Sequence, residues 1–141
     1  MTAKEFLSLY KSTEQELAEM DEKIMRLKSK AEKVTPTYGG IGGASGSMNS
    51  DKIPTYVGLI MDEEARTQDH RNEINQIRAD VEQAIYSVSD GTARTLLVMR
   101  YLSGKTWEQI AVSMHYSYVH VVHRLHPAAL ELVKVPEKYN V

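Results

Sequence analysis

Along the first 34 residues an apolar side chain returns alternately four and three positions on. Phe6, Tyr10, Leu17, Met20, Ile24, Leu27, Ala31 and Val34 fall on this stripe, with Thr13 as its polar member. A repeat of about 3.5 residues held over several heptads predicts one long helix with a narrow sticky face. Its other positions carry seven acidic and seven basic residues, a solvated surface without net charge. Residues 35–52 break the pattern: they hold five of the eight glycines, with Pro36, Ser45, Ser47 and Ser50. Such a stretch predicts a flexible loop, because glycine loses too much freedom in a helix and little apolar surface is on offer. From Pro54, which suits a first helical turn, a second helix is expected to run to Val88. Val57, Ile60, Ile74, Val81, Ile85 and Val88 share its stripe, interrupted by Glu64, Thr67 and Arg71. Neither helix can bury its stripe alone. An antiparallel hairpin is one solution, and pairing between copies of the chain is the other.

Ser89-Asp90-Gly91 reads as a turn in which Asp90 can cap the next helix. Three short helices are expected after it, over residues 92–102, 106–114 and about 118–133. Thr106 can cap the second of these, with Glu108 and Gln109 in the first turn where the dipole favours acceptors. Trp107, Ile110, Ala111 and Met114 share its inner face by helical spacing. Ser117 can cap the third, whose expected inner face is Val121, Leu125, Ala128 and Leu132. The fold class is therefore all-α. A long helical hairpin or coiled coil over 1–88 precedes a three-helix, helix-turn-helix domain over 89–141.

Charge sharpens this division. The chain of 141 residues has a net charge of −2, made of 0 over 1–34, −4 over 51–88 and +2 over 89–141. The whole-chain value excludes a general coater of nucleic acid, and the positive C-terminal part leaves a site-specific reader open. With no cysteine, disulfides, thiolate metal sites and cysteine nucleophiles are ruled out. No apolar run reaches the roughly 18–20 residues that span a bilayer. The amphipathic N-terminus has no secretory core, so a cytoplasmic protein without a membrane partner is expected.

Within 92–132, the run RTLLVMRYLSGKTWEQIAVSM, followed by a Ser-capped helix ending in AAL, resembles the region-four domain of bacterial sigma factors. The layout of the whole chain is closer to the small phage-encoded, sigma-like regulators of the ArpU type. The resemblance is strong over 92–132 and only architectural over 1–88. It implies a regulator of phage or prophage genes in a bacterial host, contacting double-stranded promoter DNA, with RNA polymerase as a candidate partner. Two departures stand out. His115 occupies a turn position where that family usually has glycine. Pro127 falls within the expected recognition helix and predicts a kink or an end there.

In a helix-turn-helix the second helix enters the major groove and the first braces it. The residues expected at DNA are Lys105 and Thr106, opening the bracing helix, and then Ser117, Tyr118, Val119, His120, His123, Arg124 and His126. Arg124 offers a two-pronged donor, and imidazoles can donate to phosphate or base acceptors. A free imidazole titrates near pH 6.5, so histidine contacts predict tighter binding toward pH 6. The plainer reading is a solvated polar face. Trp107 is expected in the core, and Arg94 and Arg100 as ordinary solvated charges. His120, His123 and His126, each three apart, spread over about 120° of helix surface and lack a completing acid or thiol, so no metal or other cofactor is expected. No nucleophile elbow or phosphate loop occurs, and an enzyme is not expected. A homodimer or larger assembly through the N-terminal helices would add affinity. Two other functions fit the layout: a small terminase-like DNA-packaging subunit, which would form a ring, and a protein-binding adaptor.

Overall fold

The computed structural model describes the backbone of residues 1–34 and 43–140, and side chains over 1–33 and 55–140. Among these residues every regular element is helical. Helix α1 spans Ala3–Val34 and α2 spans Gly43–Tyr86. Helix α3, Gly91–Leu97, continues into a π-helical turn over Val98–Leu102, and α4 is Trp107–Met114. Helix α5, Tyr118–His120, a second π-helical turn, Val121–Leu125, and α6, His126–Glu131, succeed one another without a break in right-handed helical backbone. A short 3-10 turn, Glu137–Tyr139, closes the chain. None of the described helices is long and apolar enough to cross a membrane.

Helix α2 starts at Gly43 and not at Pro54, which corrects the expectation that all of 35–52 stays out of helix. Lengthening an existing helix needs no new nucleus, so the weak propensity of Gly and Ser does not decide where it begins. The rest of that expected loop, residues 35–42, lies outside the described residues.

The chain divides into two compact units, one of Met1–Gln15 with Ile74–Val141 and one of Glu16–Glu73. Residues 1–15 and 74–88, assigned from sequence to the hairpin region, thus pack with 89–141. In this first unit Phe6, Leu7, Val81 and Ile85 are buried with Leu96, Leu97, Ile110 and Val121. Leu7 is off the heptad stripe and is buried because this end of α1 meets more than one neighbour. Tyr10 donates to Glu82 at 2.9 Å and lies under the Arg78 guanidinium, 4.1 Å from the ring centroid. The tail closes over the same core. The Tyr139 ring is 4.8 Å from Phe6, and its hydroxyl donates to Asp80 at 2.7 Å, beside Lys138 at 2.6 Å. Burial resists charge on Asp80, but the donors Lys138, Tyr139 and Gln76 outweigh it and hold the carboxyl below its ordinary range. The same pairing, after burial, pushes the Tyr139 hydroxyl up to about 12.

In the second unit the stripe of α1 faces α2. Ile24 is buried, and Leu17, Met20, Leu27 and Ile60 are half-buried. On the α2 side of this unit Glu63 and Thr67 are buried, while Val57 is exposed. Glu63, one residue from the expected Glu64, pairs with Lys23 at 3.3 Å and with Arg66. Further ion pairs join Arg71 to Asp21 at 2.8 Å and His70 to Glu16 at 2.9 Å. The segments run antiparallel here, since higher numbers in one helix meet lower numbers in the other.

Candidate nucleic-acid interface

Local chemistry builds the α4 to α6 segment from both ends. Thr106 accepts from the Gln109 backbone N–H at 3.2 Å, and the Gln109 side chain accepts from the Thr106 N–H at 3.0 Å, a reciprocal capping box. Helix α4 ends at His115, which adopts the left-handed conformation with φ 61° and ψ 37°. The turn therefore demands the geometry that glycine usually supplies, and histidine provides it at some cost in backbone energy. Ser117 then accepts from the His120 N–H at 3.2 Å and starts the next helical run. Asp90 caps α3 in the same way through the Thr92 N–H.

The inner face of α4 is as its spacing predicts: Ile110 and Ala111 are buried, Trp107 and Met114 half-buried. That of the last run is not. Val121 is buried and Leu125 packs half-buried against the core, but then His126, Ala129 and Val133 turn inward in place of Ala128 and Leu132. The cause is the π-helical turn. The His126 N–H reaches back to the Val121 carbonyl, five residues away, so one extra residue enters the helix and every later position is displaced by one. Pro127, which has no N–H to donate, follows this turn directly, and the helical run continues past it to Glu131. The expected stop at Pro127 is corrected on this ground.

His126 is corrected with it. Only 7% of its surface is exposed, and it cannot reach a nucleic acid. Its Nε2 shares a hydrogen bond of 2.7 Å with the Tyr101 hydroxyl, and its ring lies 4.5 Å from Trp107. Burial, followed by the charges of Lys4 and Arg100, lowers its pKa to about 4. Burial also raises that of Tyr101, against the pull of Arg100. Arg100 is not a free solvated charge: its guanidinium covers the Trp107 ring at 4.3 Å and donates to the Lys105 carbonyl at 3.2 Å. Arg94 likewise donates to the Val88 carbonyl at 2.8 Å. Both cations hold turns together.

The other expected residues stand at the surface. Thr106, Ser117, Tyr118, Val119, His120, His123 and Arg124 are exposed, and Lys105 is half-buried. Thr106 and Ser117 use their hydroxyl oxygens as acceptors in the caps, which leaves each hydroxyl proton able to donate outward. Arg124 has no hydrogen-bond or ion-pair partner among the described residues. The His120 ring packs beside Tyr116, with centroids 5.1 Å apart. Residues 117–124 are brought onto one continuous run, with Lys105 and Thr106 at the start of the neighbouring α4. Two further members were not singled out from sequence, Tyr116 and Val112, the latter 77% exposed. The available signal was that Val112 lies off the inner stripe of α4. Among the described residues no cluster of His, Asp or Glu could hold a metal ion.

Compared with protein families, curated proteins and solved structures, the chain has no match in any of the three.

Proposed function

We propose that this chain is a site-specific DNA-binding regulator of transcription, of the sigma-like kind encoded by phages and prophages. Helices α4 to α6 act as a helix-turn-helix: α4 braces, and the run from Tyr118 enters the major groove. The single observation that carries the reading is the join between them. A capping box at Thr106, a left-handed residue at His115 and a new cap at Ser117 set two helices at a fixed turn and leave the outer side of the second one free. That outer side suits a polyanion. No acidic residue occurs between Glu108 and Glu131, and Arg124 is uncommitted. Arg124, His120 and His123 are the base or phosphate contacts; Lys105, Thr106 and Ser117 hold the backbone. A charge of +2 over 89–141 gives a modest grip, so a second copy of the chain or RNA polymerase supplies the rest of the affinity.

The test is selection of bound fragments from a bacterial genome at moderate salt, with the wild-type chain and Arg124→Ala. A small set of enriched sites is expected, with affinity for them reduced about tenfold in the variant, the worth of one good side chain to base contact. Uniform capture of all fragments, identical in both proteins, would reject promoter reading by this helix.

A further inference from the structure

The face assigned to DNA is short of permanent charge. Arg124 is the one permanent cation between Ser117 and Glu131. Beside it Tyr118 is exposed, and Val119 leaves 62% of its surface in solvent. The His120 ring packs beside Tyr116. Val119 is the second residue after the Ser117 cap, in the part of a recognition helix that comes closest to the base edges. Beside the donors and acceptors a base pair offers in the major groove, the C5 methyl of thymine is the one apolar group that projects from the edge. An isopropyl group has nothing to offer those, and it complements a methyl.

Resting on the DNA-binding reading above, we infer that Val119 is a specificity-determining residue that recognises a thymine by packing against its C5 methyl. The bound element then carries a thymine at one fixed position that no hydrogen bond from this protein specifies. A protein partner for the same apolar patch is the competing occupant. The lack of any acid between Glu108 and Glu131, with Arg124 uncommitted, favours the polyanion.

Duplexes selected by the full chain are remade with deoxyuridine in place of each thymine in turn, which removes the methyl and leaves every hydrogen-bonding group. At one position the wild type is expected to lose about fourfold in affinity, the worth of one buried methyl. Val119→Ala should bind the thymine and uracil forms of that duplex equally. An unchanged melting temperature checks that this variant is folded, as the exposure of Val119 leads one to expect. If no thymine is sensitive, or if Val119→Ala keeps the preference, the inference falls while selective DNA binding stands. If no duplex is selected at all, both fall, and the patch belongs to a protein partner.

Discussion

His126 is an ionisable side chain placed where its charge has nowhere to go. Its imidazole meets Trp107 and the Tyr101 hydroxyl, is nearly sealed from water, and stands near the positive charges of Lys4 and Arg100. The folded chain holds its pKa at about 4, and the unfolded chain returns it to the ordinary 6.5. As pH falls, the unfolded state takes up this proton first. The contribution to stability is thus intact above about pH 6.5 and is lost between there and pH 4. Denaturant titrations should show wild-type stability falling by about 2 kcal/mol between pH 7.5 and pH 5, through this group alone. His126→Gln, whose amide can still meet Tyr101, should lose stability at pH 7.5 and show far less of that slope. An equal slope in both proteins would mean that another group carries it.

At the scale of the element, two π-helical turns matter more than any helix propensity. Each lies beside one half of the Tyr101–His126 contact: Tyr101 is inside the first, and His126 comes directly after the second. The stripe of α1 was legible in the sequence because an uninterrupted helix keeps its period from Phe6 to Ala31. The caps at Asp90, Thr106 and Ser117 were legible because capping is local. The faces beyond Leu125 were not, since one inserted residue is invisible to a periodicity that assumes a constant 3.6, and the misplacement of His126, Ala128 and Leu132 stems from it. The register can be tested by overpacking. Ala129 is fully buried, so Ala129→Leu should cost about 1–3 kcal/mol. Ala128 is exposed, so Ala128→Leu should change stability by about 0.5 kcal/mol or less. Thermal melts of the two variants check this, and the reverse order would restore the uninterrupted α-helical register.

For the molecule as a whole, the two units are held by different physics. The unit of Met1–Gln15 and Ile74–Val141 has a contiguous apolar core from Phe6 to Val133. In the unit of Glu16–Glu73, Ile24 is the one buried apolar side chain among the described residues, and the seam relies on Glu63, Thr67 and exposed ion pairs. Burial opposes the charge on Glu63, and Lys23 and Arg66 overcome it, holding the carboxyl below its ordinary range. Exposed pairs of this sort contribute about 0–1 kcal/mol each and weaken in salt, whereas burying a Leu or Phe contributes about 1.5–3 kcal/mol. The alternation of charges along α1 and the polar interruptions of α2 already pointed to a thin seam. What the sequence could not locate was the division at residues 15 and 73, because it depends on which neighbours cover Leu7 and Val81. Hydrogen exchange should therefore separate the units. Amides of 16–34 and 55–73 are expected to be protected at least about tenfold less than those of 107–114 and 121–131, with a gap that widens as salt is raised. Equal protection at all salt concentrations would mean that the chain opens as one cooperative body, and that the ionic seam is as strong as the apolar core.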